Sequence, residues 1–145
     1  MKEKSTNQLR MAFNSLGKRY TAQRQKTWDA FNSSPTGLTI AQAIEMLRSE
    51  GIGHTTVYRT VKELTELGFL QWVHTRDGEH LFISSGGGHS HPLVCRRCGT
   101  IELVDCQGMS TLQKLIAVET GFRVEGHHLE FSGICKQCQR AEAVV

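Results

Sequence analysis

The stretch that decides the fold is residues 51–83, GIGHTTVYRTVKELTELGFLQWVHTRDGEHLFI. Its pattern predicts a helix over about 55–67. Two β-like runs follow at 69–74 and 80–83, and the Asp-Gly pair between them is a hairpin signal. A turn, a helix and a hairpin in this order predict a winged helix-turn-helix. A helical bundle with an incidental hairpin is the alternative.

Three more helices are predicted upstream of this stretch. One carries apolar residues at helical spacing and stops at Gly17. A second runs from Thr21, a plausible N-cap, to about Phe31, and a third from the N-cap Thr39 to Gly51.

The helix over 55–67 has two unlike faces. Val57, Val61 and Leu64 form the stripe expected to be buried. In a helix-turn-helix the exposed face of the second helix meets base edges in the major groove. Arg59 could bind guanine and Tyr58 a thymine methyl group. A solvated polar face is the alternative reading. The candidate DNA-binding residues on this helix are Thr55, Thr56, Tyr58, Arg59 and Lys62.

Basic charge is concentrated in the first part of the chain. Residues 1–85 carry 11 Lys and Arg against 8 Asp and Glu, whereas residues 86–145 carry 6 of each. A local basic excess is typical of a surface that binds a polyanion. Arg19 and Arg24 are therefore further candidates for contact with double-stranded DNA.

Residues 84–88, Ser-Ser-Gly-Gly-Gly, predict a boundary between two domains. We expect a winged-helix DNA-binding domain over 1–84, a hinge over 85–88 and a metal-binding dimerisation domain over 89–145. The second domain is predicted as a small αβ unit, with strands including 101–104, 122–124 and 129–131 around one helix that ends near Gly121. The whole chain is thus of the α+β class. About 60 residues make a small core, so metal binding and dimerisation are expected to support this domain.

The five cysteines all lie in the second domain. Cys95 and Cys98 form one C-x-x-C pair, and Cys135 and Cys138 form another. Two such pairs are typical of a tetrahedral four-cysteine zinc site, which is closed and therefore structural. A redox C-x-x-C would need a βαβ context, which neither pair has.

Several classes of protein are excluded or disfavoured by the sequence. No apolar run approaches the roughly 18 residues of a membrane helix, and the N-terminus lacks the apolar segment of a secretory signal. We therefore expect a cytoplasmic protein with no membrane and no small-molecule partner. A zinc enzyme is a weak alternative, because no nucleophile elbow, H-E-x-x-H or phosphate loop is present. A structural-zinc interaction module without DNA binding is the other alternative.

Taken together, these motifs resemble the ferric uptake regulator superfamily. The resemblance rests on Thr21-Ala22-Gln23-Arg24, Thr55–Thr60 (TTVYRT), His89-Ser90-His91 and Cys95-Arg96-Arg97-Cys98-Gly99, followed by the second cysteine pair. It implies a dimeric, metal-sensing, winged-helix transcription regulator that binds an inverted repeat in DNA when metal-loaded. The zinc uptake regulators look closest within the superfamily. Iron-sensing and peroxide-sensing regulators are the alternatives.

The resemblance also implies a second, regulatory metal site near the hinge. Its candidate ligands are His80, His89 and His91, with Cys106 or Glu102 as the fourth. Three imidazoles and a thiolate would favour Zn2+ over Fe2+ or Mn2+, whereas Glu102 would leave the metal open. His127 corresponds to a ligand of a further site in some relatives, but we expect it to be a hydrogen-bonded strand residue.

Overall fold

A computed structural model describes residues 2–75, 77–85 and 89–142 of the chain, which divides into two compact units, 1–88 and 89–145. Of the predicted hinge over 85–88, residues 86–88 lie outside the described residues. None of the described helices is long and apolar enough to cross a membrane.

Over its described residues, the first unit consists of four helices followed by a two-stranded hairpin. Its elements are α1 (Lys2–Ser15), α2 (Ala22–Asn32), α3 (Ile40–Arg48), α4 (His54–Glu66), β1 (Leu70–His74) and β2 (His80–Ser84). The two strands pair antiparallel, with Trp72 opposite Phe82 and His74 opposite His80. This order confirms the predicted winged helix-turn-helix within an α+β fold.

The helix starts follow from local hydrogen bonding. The Thr21 hydroxyl accepts a hydrogen bond from the backbone N–H of Arg24 at the start of α2. Thr39 and Gln42 form a reciprocal capping box at the start of α3. Each cap satisfies backbone donors that the first turn of a helix leaves unpaired.

The core of this unit holds α4 in place. Val57, Val61 and Leu64 are at most 1% exposed and belong to one apolar cluster with Phe13 and Phe31. Each fully buried side chain of this kind contributes about 1.5–3 kcal/mol of transfer free energy. The predicted buried stripe of α4 is therefore correct, and its opposite face is left to solvent.

Backbone hydrogen bonds between the segment that precedes α3 and strand β2 attach the hairpin to the helices. The backbone groups of Leu38 and Phe82 exchange two hydrogen bonds, of 2.9 and 2.8 Å. Gly37 precedes this bridge with φ of +77°, and a Cβ there would lie 2.8 Å from the carbonyl oxygen of Phe82. Only glycine fits both the left-handed backbone and the contact.

The second unit, over residues 89–142, is a three-stranded sheet with two helices. Its elements are β3 (Ser90–Cys95), β4 (Ile101–Asp105), α5 (Met109–Thr120), β5 (Phe131–Gly133) and α6 (Lys136–Glu142). The strand order is β4-β3-β5, with β3 antiparallel to β4 and parallel to β5. The helix α6 was not predicted.

The strand predicted over 122–124 is wrong. Residues 121–130 have no regular secondary structure. Phe122 is 74% exposed, and the side chain of Arg123 forms an ion pair with Glu125, two residues further along the chain. The strand predicted over 129–131 begins only at Phe131.

Very little of the second unit is buried. Among its described residues only His91, Pro92 and Cys95 are buried, and none of the residues of α5 is. An αβ unit with so small an apolar core needs additional sources of stability.

Candidate metal centres and nucleic-acid face

The first candidate centre contains the four cysteines of the two C-x-x-C pairs. The sulfur atoms of Cys95, Cys98, Cys135 and Cys138 all lie within 4.8 Å of one another. Cys98 Sγ and Cys135 Sγ are 3.7 Å apart. Two thiolates on one tetrahedral Zn2+, with Zn–S bonds of about 2.3 Å, would be about 3.8 Å apart. The four sulfur atoms therefore fit a zinc ion.

The sheet brings the two pairs together. Cys95 ends β3 and lies opposite Gly133 of the parallel strand β5, and the backbone N–H of Arg96 donates to the Gly133 carbonyl over 2.8 Å. Cys135 lies between β5 and α6, and Cys138 lies in the first turn of α6. A register fixed by β3 and β5 thus positions all four thiols.

Hydrogen bonding makes these thiols unequal. The backbone N–H of Cys135 donates to Cys95 Sγ over 3.3 Å, and this bond is the largest cause that lowers the pKa of Cys95 to about 6. The neighbouring Cys135 thiol raises the pKa of Cys138 to about 12. A full set of four thiolates is therefore accessible only when a cation compensates their mutual repulsion, as a bound divalent metal does.

The second candidate centre is a cage of three imidazoles and one thiol, formed by His89, His91, Cys106 and His127. The Nε2 atom of His127 is 3.0 Å from Nε2 of His89 and 3.0 Å from Nε2 of His91. Cys106 Sγ is 2.9 Å from His91 Nε2 and 3.5 Å from His127 Nε2. Tetrahedral zinc with Zn–N bonds of about 2.0–2.1 Å places its ligand atoms about 3.3–3.6 Å apart. The donor set fits zinc with only small adjustments.

The strand register explains why Cys106 belongs to this cage and Glu102 does not. The antiparallel ladder pairs Ser90 with Asp105, so one further step places Cys106 opposite His89, at the end of the ladder where the cage lies. Glu102 lies opposite Leu93, four residues before Cys106. At about 3.3 Å per residue, this separation is roughly 13 Å. The register therefore places the Cys106 thiol, and not the Glu102 carboxylate, beside the histidines.

His91 is the most enclosed member of the cage, at 4% exposed. Its burial, followed by the neighbouring imidazoles of His127 and His89, lowers the pKa of His91 below its ordinary value. A lowered pKa keeps the ring neutral near pH 7, which is the form that ligates a metal.

His127 was not among the ligands predicted for this cage. His127 comes from the segment between α5 and β5, which has no regular secondary structure. The only sequence signal was its correspondence to a ligand position in some relatives. His80 lies in the first unit, where its ring stacks on Trp72 with 4.3 Å between the ring centroids.

The predicted nucleic-acid face is exposed as a continuous strip of α4. Thr55, Tyr58, Arg59 and Lys62 are all exposed, and Thr56 is half-buried beside them. Tyr58 is 60% exposed, so its ring is available to a ligand rather than packed in the core. The helix begins at His54 without a side-chain cap, which leaves its first backbone N–H groups available to an anion.

A basic cleft extends this face towards the segment between α1 and α2. It is lined by Lys18, Arg19, Arg24, Arg59, Lys62, Glu63 and Glu66. Arg19 is exposed. Arg24 is held differently, because its guanidinium donates three hydrogen bonds to the buried Glu63 carboxylate and lies 4.8 Å from the Phe13 ring centroid. The sequence alone did not reveal this pairing.

Comparison with known proteins places these features in a family. Residues 15–132 match the model of the ferric uptake regulator family. The chain is 31% identical over 126 residues to the ferric uptake regulation protein of Neisseria meningitidis serogroup A, covering 85% of this chain and 88% of that protein. It is 38% identical over 93 residues to the zinc uptake regulation protein of Mycobacterium tuberculosis strain H37Rv, covering 63% and 71%.

A solved zinc uptake regulator in complex with zinc and DNA has the same fold. It superposes with a TM-score of 0.78 at 21% sequence identity, over 98% of this chain and 97% of that one. On the family match, the chain belongs to the ferric uptake regulator family of metal-responsive DNA-binding regulators.

Proposed function

We propose that the protein is a zinc-responsive transcriptional regulator that binds double-stranded DNA as a homodimer when its regulatory site is loaded. The observation that carries this proposal is the cage of His89, His91, Cys106 and His127, since all four donor atoms lie within 4.8 Å of one another. The four-cysteine centre serves as a separate structural site.

The ligand set supports zinc over iron. The cage contains three imidazoles and one thiol, and no carboxylate of a described residue belongs to it. Imidazole and thiolate ligands in a tetrahedral arrangement are typical of zinc, whereas oxygen-rich sites suit harder ions. Iron sensing, which the name of the Neisseria relative suggests, is the second candidate, and the metal test below separates the two.

A bound ion would act by joining parts of the second unit that have little else to hold them. His89 directly precedes β3, His91 lies within it, Cys106 follows β4, and His127 comes from the irregular segment before β5. The four side chains can complete a tetrahedral site without His80. Ligation would therefore fasten the 121–130 segment onto the sheet, in a unit whose described residues include almost no buried apolar side chains.

The homodimer is supported by an apolar surface on and after α5. Leu112, Leu115, Ile116, Val118 and Phe122 are between 41% and 83% exposed. Contiguous apolar surface of this kind marks an interaction site. A second copy of the chain would cover it and place two α4 helices for an inverted repeat, because half-site spacing mirrors the symmetry of the dimer.

DNA recognition is assigned to α4 and the basic cleft. Arg59 and Tyr58 would read base edges, and Lys62 and Arg19 would contact phosphates. Metal loading would order the second unit and its dimer surface, and so raise the fraction of dimers whose two α4 helices match the half-site spacing. The apparent affinity for DNA rises with that fraction.

Elemental analysis after competition with a zinc chelator tests the proposal. The parent protein should retain one zinc per chain from the four-cysteine centre and take up a second on titration. His127→Ala should lose only the second zinc, whereas His128→Ala, which changes the adjacent exposed residue outside the cage, should bind both. The site assignment is overturned if His127→Ala binds two zinc ions like the parent. If Fe2+ and not Zn2+ restores DNA binding, the protein is an iron sensor.

A further inference from the structure

The side chain of Gln113 lies behind the regulatory cage, against His127. The Gln113 amide nitrogen is 2.9 Å from Nδ1 of His127. The other ring nitrogen of His127, Nε2, faces the cage, 3.0 Å from Nε2 of His89 and from Nε2 of His91. The two nitrogens of one ring are thus divided between the cage and Gln113.

The position of Gln113 on α5 is unusual for a glutamine. Met109, Gln113 and Ala117 recur every four residues and are the half-buried residues of the helix, so they form its inward stripe. The outward side carries the exposed Leu112, Leu115 and Ile116. An amide on the inward stripe loses contact with water and needs a hydrogen-bond partner. His127 supplies that partner.

We infer that Gln113 is a positioning residue of the regulatory metal site, which holds His127 in the tautomer that ligates through Nε2. This inference rests on the proposed function of the cage. An imidazole that binds a metal through Nε2 carries its proton on Nδ1, and that N–H is then a donor. Rotation of the Gln113 amide by 180° exchanges its nitrogen for its oxygen, which accepts from the Nδ1–H.

This contact also connects the cage to the dimer surface. Gln113 and the exposed apolar residues of α5 are on one helix, so the orientation of His127 is tied to the helix that presents the proposed dimer surface. His91 lies within β3, and His89 and Cys106 each adjoin the end of a strand, whereas His127 comes from the 121–130 segment, which has no regular secondary structure. Gln113 therefore fixes the ligand that the backbone constrains least.

Three variants of the full chain test the inference. Gln113→Leu keeps the approximate size but removes the acceptor, and Gln113→Glu restores an acceptor as a carboxylate. Lys114→Leu is the matched control, because it changes an exposed residue on the same helix. The readouts are the zinc affinity of the second site, measured by chelator competition, and the visible spectrum with Co2+ in that site.

Gln113→Leu should weaken zinc binding at the second site about 10–100-fold and alter the Co2+ spectrum, as loss of a partner behind a ligating histidine does. Gln113→Glu should bind zinc at least as tightly as the parent, and Lys114→Leu should match the parent. Recovery of zinc affinity in Gln113→Glu would show that the hydrogen bond to His127 matters, and not only the stability of α5. The inference is overturned if Gln113→Leu matches the parent, or if Gln113→Glu is as weak as Gln113→Leu. If the parent itself takes up no second zinc, the proposed function fails first and the inference fails with it.

Discussion

The guanidinium of Arg24 on α2 and the carboxylate of Glu63 on α4 form an ion pair 2.8 Å long, with side chains 15% and 3% exposed. The partners are 39 residues apart in sequence. Lys18 adds a second cation, 2.7 Å from the same carboxylate. This network joins α4, which carries the proposed DNA-binding residues, to the segment that carries Lys18 and Arg19. Arg24 thus holds α4 in place through Glu63, and the exposed Arg19 is the more accessible of the two arginines to a DNA phosphate.

Glu63→Gln should destabilise the protein, because it leaves Arg24 enclosed without an opposite charge. Removing one partner of a buried pair typically costs about 3–5 kcal/mol, and the half-exposed Lys18 recovers some solvation. Urea denaturation of the first unit, followed by Trp28 and Trp72 fluorescence, measures the change. Glu66→Gln is the control, since Glu66 is exposed on the same helix. Equal stability of the two variants would show that the pair contributes nothing.

Arg59→Ala should reduce affinity for the specific operator by about 1–3 kcal/mol and relax base preference, because Arg59 is assigned to a base edge. Arg19→Ala should instead weaken binding to specific and random DNA alike. Loss of the Arg19 side chain should also reduce the slope of log affinity against log salt by roughly one unit, the amount due to one phosphate contact. Fluorescence anisotropy at several salt concentrations distinguishes the two. Equal losses on specific and random DNA for Arg59→Ala would reassign it to phosphate contact.

Cys95→Ser should unfold or monomerise the second unit, because metal binding free energy in small metal-stabilised domains is also folding free energy. Far-UV circular dichroism and sedimentation measure helicity and oligomeric state. Cys106→Ser is the matched control, since it removes a thiol from the same unit but from the other centre. A Cys95→Ser protein with full helicity and an intact dimer would refute the structural role of the four-cysteine centre.

Alkaline pH should destabilise the first unit through Tyr20. Its burial, with a contribution from Asp29, raises the pKa of Tyr20 from 10.0 to about 12. The unfolded chain then loses this proton first, so the stability due to Tyr20 is complete below pH 10 and falls as pH rises towards 12. Urea midpoints between pH 9 and pH 12 should fall less for Tyr20→Phe than for the parent. Tyr58→Phe, at an exposed tyrosine, should follow the parent.

The features that a short motif carries were predictable from sequence. The buried stripe of α4 at Val57, Val61 and Leu64 follows from helical periodicity, and the cysteine pairs follow from their spacing. The features that depend on distant contacts were not. His127 reaches His89 across 38 residues and Arg24 reaches Glu63 across 39, and neither segment carries a local pattern for its partner.

Two further differences have physical causes of the same kind. The choice between Cys106 and Glu102 depends on strand register, which the sequence does not define when strands are short and little of the sheet is buried. The strand predicted over 122–124 failed because β-like residues need a neighbouring strand. Phe122 is instead exposed beside the apolar residues of α5, where a dimer partner would cover it.

The most direct test of the central claim is DNA affinity measured against buffered free zinc, with the four-cysteine centre filled throughout. The parent, the cage variants His127→Ala and Cys106→Ser, and the control His128→Ala are compared on the same inverted-repeat operator. Affinity of the parent and of His128→Ala should rise steeply with free zinc, and that of the two cage variants should stay low and nearly flat. A parent whose DNA affinity does not change with zinc, or cage variants that respond as the parent does, would contradict the account.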